Sequence, residues 1–216
     1  MVINKYLGEL LGTMILVGLG SMGILAMGGA AGPAEVIGIG LGFGLALLAG
    51  IWAVGHVTGA HFNPAVTLAA LLDKRLSLSD AIGYWVAQFA GATVGSLIVL
   101  AAAAGERAAV AATATGYTDL QTAIVAEIVL TTVFVWTILS VTRLGANHAP
   151  MAIALVLVGV HVVGIPFSGA SVNPARSFGP ALVGGDMGSS LWVYLYAPMI
   201  GAVIAWGLYR LFPPTE

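Results

Sequence analysis

Gly59-Ala60-His61-Phe62-Asn63-Pro64-Ala65 and Gly169-Ala170-Ser171-Val172-Asn173-Pro174-Ala175 stand 110 residues apart and agree at five of seven positions. Asn is a favoured helix N-cap, and Pro suits the first helical position, where its missing N–H is no loss. Each stretch therefore predicts extended chain that reaches an Asn and turns into a helix. Each also lies in an apolar gap of unusual length. Between Glu35 and Asp73 there are 37 residues without an acidic or basic side chain, and between Arg143 and Arg176 there are 32. One spanning helix takes about 20 apolar residues. These gaps are too long for one helix and too short for two with a loop. The uncharged residues that follow each Asn-Pro, 65–72 and 175–183, make helices only about 12–14 Å long, half the thickness of a bilayer core. Backbone that is not helical survives at membrane depth only if it lines a water-filled cavity or is buried in protein. The surplus in each gap is thus a re-entrant segment: extended chain inward, then a half-helix back out.

The remaining chain agrees with a membrane setting. Of its 216 residues 59% are hydrophobic and 7% charged, with mean hydropathy +1.02, whereas a soluble domain is about 25% charged. That composition excludes an ordinary cytosolic enzyme, a disordered tail and a nucleic-acid binder, which needs basic patches. Gaps of 25 residues after Glu9, 25 after Asp80 and 23 after Asp186 each fit one helix. The gap of 15 after Glu127 fits as well, once Glu127 is counted inside its helix. Six spans are expected at about 5–28, 35–55, 80–104, 118–141, 149–167 and 190–211. Breaks such as Gly28-Gly29, Asp73-Lys74-Arg75 and Arg143-Leu144-Gly145 separate them. The glycine pairs Gly8/Gly12, Gly38/Gly42, Gly40/Gly44 and Gly91/Gly95 are small surfaces on which helices can approach closely. No cleaved signal is expected, because the N-terminal segment holds one Lys and an acid at Glu9.

The Asn-Pro-Ala match is part of a longer repeat. Glu9 and Thr13 in the first helix reappear as Glu127 and Thr131 in the fourth. Each half holds three spans and one Asn-Pro-Ala segment, and three is odd, so the second half enters from the opposite side. The fold class expected is an all-α integral membrane protein: six transmembrane helices plus two re-entrant half-helices in an inverted repeat. It forms a single channel domain over 1–216, with halves at about 1–108 and 117–216. With the N-terminus inside, Lys5, Lys74, Arg75, Arg143 and Arg210 fall on the inner side and Arg107 alone on the outer, so both termini are expected in the cytoplasm.

Inversion brings the two half-helix N-termini together near the midplane. Two positive dipole ends of about half a charge each then face one point. The carboxamides of Asn63 and Asn173 can donate there. The carbonyls of Gly59, Ala60, His61 and Phe62, and of Gly169, Ala170, Ser171 and Val172, have no helical partner and can accept along a path. A neutral molecule that both donates and accepts can step through, while a cation meets a repulsive centre.

Gly55-His56, Gly59, His61 to Thr67, and Ser171-Val172-Asn173-Pro174-Ala175-Arg176-Ser177-Phe178-Gly179-Pro180 carry a resemblance to the aquaporin (major intrinsic protein) family over the whole chain. The resemblance implies the fold already expected, with half-helix dipoles and an arginine as barriers to ions. It places a selectivity filter at Phe43, His161, Arg176 and, as a fourth wall, Ala170. Helix arithmetic alone puts Arg176, His161 and Phe43 at one depth, each about 18–20 Å from the inner face. His161 and Arg176 are expected to supply donors there. By this resemblance, glycerol-conducting members carry Trp, Gly and an Asp after the Arg. Phe43, His161 and Ser177 depart from all three and resemble the water-selective branch.

Glu9 and Glu127 are intramembrane carboxylates and so functional suspects. They either carry protons or accept hydrogen bonds from re-entrant N–H groups, and their symmetry and the resemblance favour bracing. His56 and His61 read as structural supports. His148 stands in an inner loop, where a pH-gating role is a minor alternative. No metal-ligand spacing, nucleophile arrangement or phosphate loop stands out, so no cofactor, metal or catalytic role is expected. The expected function is a passive water channel in the cell membrane, its partners being water and lipid, assembled by family resemblance as a homotetramer. The alternatives are a broader small-solute facilitator of the glycerol type, a proton-coupled transporter using Glu9 and Glu127, and a poorly conducting junction protein.

Overall fold

The computed structural model describes residues 2–114, 116, 119–143, 145, 147–188 and 190–213. In chain order its helices are α1 (Val2–Ala26), α2 (Pro33–Thr58), α3 (Pro64–Leu72), α4 (Leu78–Ala102), α5 (Arg107–Ala111), α6 (Leu120–Arg143), α7 (Ala149–Ser168), α8 (Pro174–Gly184) and α9 (Leu191–Leu211). Among the described residues there is no strand, and α1, α2, α4, α6, α7 and α9 are long and apolar enough to cross a membrane. The remaining two long-gap helices are the half-helices: α3 has 9 residues and α8 has 11, about 14 and 17 Å of rise.

Local chemistry sets the ends. α2 and α7 run on to Thr58 and Ser168, slightly beyond the expected boundaries, and stop where Gly59 (φ +83°) and Gly169 (φ +79°) turn left-handed. α1 begins earlier than expected and ends at Ala26, before the left-handed Gly28 and Gly29. The short α5 was not foreseen, since five residues carry no periodic signal. Thr118 and Tyr117, the expected starts of the fourth span and of the second half, lie outside the described residues, as does Leu144.

Packing repeats with the sequence. α1 lies against α2 and α4, and α6 lies against α7 and α9. The halves join where α2 meets α7, and each half-helix reaches into the other half, α3 onto α9 and α8 onto α4. α1 and α4 approach so closely that a Cβ on Gly91 would stand 2.2 Å from the Leu10 carbonyl, which is the service expected of that glycine pair. Large apolar side chains such as Leu45, Trp52, Val86 and Leu155 face outward, fully consistent with a lipid surround.

Candidate functional site

Asn63 and Asn173 cap the half-helices as expected. Asn63 Oδ1 accepts from the Ala65 N–H at 2.8 Å, and Asn173 Oδ1 accepts from the Ala175 and Arg176 N–H groups at 3.0 and 3.3 Å. Pro64 and Pro174 open the helices, and Ala65 and Ala175 are fully buried in their first turns. Each carboxamide also reaches across the midplane. Asn63 Nδ2 donates to the Val172 carbonyl at 2.8 Å, and Asn173 Nδ2 donates to the Phe62 carbonyl at 2.9 Å. The Phe62 and Val172 carbonyls, expected to lack partners, are therefore engaged by the opposite half. Each Nδ2 makes this one hydrogen bond among the described residues.

The extended segments hold an unusual backbone. Ala60, Phe62, Ala170 and Val172 are left-handed, with φ of +55°, +48°, +50° and +47°; the conformation is uncommon for Ala and Phe and an outlier for β-branched Val172. Buried carboxylates hold it in place. Glu9 accepts from the N–H groups of His61 at 3.0 Å and Phe62 at 2.8 Å. Glu127 accepts from those of Ser171 at 2.8 Å and Val172 at 2.7 Å, and from Ser168 Oγ at 2.7 Å. In a trans peptide the carbonyl opposes the next N–H. With these N–H groups turned onto Glu9 and Glu127, the carbonyls of Ala60, His61, Ala170 and Ser171 point the other way, away from those carboxylates.

Three cavities, each lined from both halves, neighbour one another through shared residues. One on the side expected to be the inner one, of about 390 Å³, is lined by Gly59, Ala60, His61, Tyr84 and Arg75 among others. A neck of about 20 Å³ follows, bounded by Phe43, His161, Arg176, Asn63, Asn173 and their neighbours. An outer cavity of about 170 Å³ reaches Gly169, Thr113 and Gly116. His61 lines both the inner cavity and the neck, and Arg176 both the neck and the outer cavity. The neck has room for about one water.

Three of the four residues assigned to a filter meet there. The Phe43 and His161 rings stack at 4.5 Å, and the Arg176 guanidinium lies 4.8 Å from the Phe43 centroid. Phe43 fits because Gly20 faces it: a Cβ there would stand 2.2 Å from the ring. Arg176 Nη1 donates to the Thr113 and Ala114 carbonyls, while its Nε has no protein partner among the described residues. Ala170 lines none of the three cavities; it is fully buried, its N–H donating to Ser168 Oγ at 3.1 Å. His161 departs from expectation as well. Its Nδ1 is 2.9 Å from the Leu157 carbonyl, which can only accept. The neutral ring therefore carries its proton on Nδ1 and offers Nε2 to the neck as an acceptor, not a donor.

Several groups at the site escaped the sequence reading. Tyr84 Oη donates to the Thr58 carbonyl at 2.6 Å, and Tyr194 Oη to the Ser168 carbonyl at 2.7 Å. These residues keep the same offset of 110 as the Asn-Pro-Ala segments, so extending that comparison along the chain would have found them. The carbonyls of Thr113 and Ala114 carry no sequence signal at all.

The model of the family described as "Major intrinsic protein" matches residues 1–209. This chain belongs to the major intrinsic protein family. Members of the family are channels, and the chain is an integral, multi-pass membrane protein of that kind. It is 41% identical to the protein called Glycerol uptake facilitator protein-like 6 from Lactiplantibacillus plantarum, over 94% of either chain. It is 37% identical to an Aquaporin Z from Rhodopseudomonas palustris, over 98% of this chain and 94% of that one. Its fold matches the X-ray structure of the aquaglyceroporin from Plasmodium falciparum with a TM-score of 0.85, covering 98% and 97% of the two chains at 24% identity.

Proposed function

We propose that this major intrinsic protein is a passive water channel that excludes ions and protons. The observation that carries the reading is the neck: about 20 Å³, bounded by Phe43, His161 and Arg176. A single water fits such a space, whereas the carbon chain of glycerol needs a wider one. Arg176 places a positive charge in the wall, and the two half-helix N-termini add to it at the midplane, so a cation is opposed twice over a short distance. Water loses its neighbours in the neck and finds Arg176 and the Asn carboxamides as donors, with His161 Nε2 and the re-entrant carbonyls as acceptors.

A glycerol-conducting reading is favoured by one observation, the 41% identity to a relative named as a glycerol uptake facilitator-like protein. Proteoliposomes decide between them. Osmotic shrinkage in stopped flow is expected to be fast for water, with glycerol entry near that of protein-free vesicles; equal rates would establish the broader facilitator. Proton carriage by Glu9 and Glu127 is disfavoured, because both oxygens of each carboxylate already accept backbone N–H groups. The proposal includes a single channel domain, both termini in the cytoplasm of a cell, and a homotetramer with one path in each protomer.

A further inference from the structure

Thr67 and Ser177 stand four residues after Asn63 and Asn173. Each hydroxyl reaches back to the residue two places before its Asn. Thr67 Oγ1 lies 3.1 Å from His61 Nδ1, and Ser177 Oγ lies 2.7 Å from Ser171 Oγ. The third group in each cluster differs. In the second half it is the Ala114 carbonyl, 2.7 Å from Ser177 Oγ. In the first half it is Gln88, fully buried on α4, whose Nε2 lies 2.8 Å from Glu9 Oε2 and 2.9 Å from Thr67 Oγ1. Pro198 stands where the offset of 110 would place a second such Gln.

Counting protons fixes the state of His61. Both Glu9 oxygens are already acceptors, so Gln88 turns its amide nitrogen to them. One amide proton goes to Glu9 and the other to Thr67 Oγ1. Thr67 keeps its own hydroxyl proton, and the acceptor within reach is His61 Nδ1. A ring nitrogen that accepts is unprotonated, so the neutral ring carries its proton on Nε2. His61 Nε2 has no protein partner among the described residues, and the residue lines both the inner cavity and the neck. His161 is the reverse, since the Leu157 carbonyl takes its Nδ1–H.

We infer that Gln88 and Thr67 are positioning residues which hold His61 as the Nε2–H tautomer, so that the inner end of the path presents a donor and no basic ring nitrogen. This rests on the reading of the path as a water path. At the neck, Phe43 stacks on the His161 ring and also lies under the Arg176 guanidinium, so a fixed positive charge stands in the wall there. Arg75, a cation that lines the inner cavity, is paired with the Asp73 carboxylate at 2.8 Å. At the inner end the tautomer itself keeps a water-borne proton from finding a base.

Nitrogen NMR on ¹⁵N-histidine protein in lipid bilayers tests this, with His61 assigned by the signals lost in His61→Gln. The expected wild-type ring has a pyrrole-type Nε2 and a pyridine-type Nδ1. Thr67→Val is expected to mix or exchange the two types, Thr67→Ser to restore them, and Thr67→Val vesicles to take up protons faster than wild type. A wild-type ring protonated on Nδ1 overturns the inference without any variant. An unchanged ring in Thr67→Val overturns the role of Thr67, and a shifted ring with no added proton uptake overturns the exclusion. Water flux in the same vesicles tests the channel reading separately, because the nitrogen signals report whether or not water moves.

Discussion

Asn63 donates its carboxamide to the carbonyl of Val172 at 2.8 Å, across 109 residues of chain, while its Oδ1 caps the half-helix that it begins. One side chain thus serves a helix end in its own half and the backbone of the other half. Asn63→Ala removes both. A lost N-cap costs about 1 kcal/mol and a carbonyl left unpaired about 1–3 kcal/mol. Thermal unfolding in detergent should show a lower midpoint, with a comparable fall for Asn173→Ala, because the arrangement is reciprocal. An unaffected midpoint would mean that the two halves do not depend on this contact.

Glu127→Gln replaces an acceptor with an amide whose nitrogen faces the N–H of Ser171 or Val172. The expected destabilisation is about 1–3 kcal/mol for the orphaned donor. Glu9→Gln should cost less. The Gln88 carbonyl oxygen is buried without a partner among the described residues, and by turning over it can receive a proton from the new amide. Unfolding midpoints for the two variants, measured side by side, check that order.

Arg176→Val removes the cation from the neck and leaves the Thr113 and Ala114 carbonyls without their donor. Sodium or proton entry into vesicles should rise above the wild-type leak under an imposed gradient. A leak unchanged from wild type would place the barrier entirely at the half-helix termini.

Phe43→Ala opens the neck on the side that Gly20 and His161 support. Glycerol entry relative to water should increase by about tenfold, the low end of what one shape contact in a pocket discriminates. Gly20→Ala should disturb the same ratio without touching the path, since its methyl would meet the Phe43 ring.

The chain contains no cysteine, so mercurial reagents have no thiol to attack. Water flux should be insensitive to them; rapid block that a thiol reverses would contradict the mechanism.

Most of the architecture was legible because the membrane penalises charge and unpaired backbone so strongly. Two apolar gaps of the wrong length and a pair of Asn-Pro-Ala segments were enough to place α3 and α8. Arg176, Phe43 and His161 were legible as a group because helix rise converts sequence position into depth. Direction within the site was not legible. Which nitrogen of His161 faces the neck depends on the Leu157 carbonyl, and which carbonyls stay free depends on how the two Asn side chains cross. Both are set by contacts between side chain and backbone, to which no residue type or spacing is a guide. Gln88 was invisible for another reason: it belongs to one half only, so a search for repetition passes over it.

The crossing of Asn63 and Asn173 also bears on how the protein comes into being. While the ribosome has released α3 but not yet α8, the Asn63 carboxamide faces a carbonyl that does not exist, and the Phe62 carbonyl waits for a donor more than a hundred residues away. Glu9 can brace the first re-entrant segment as soon as it is made, but the contact across the midplane has to wait for the second. That closure belongs late in synthesis, when the second half reaches back to the first.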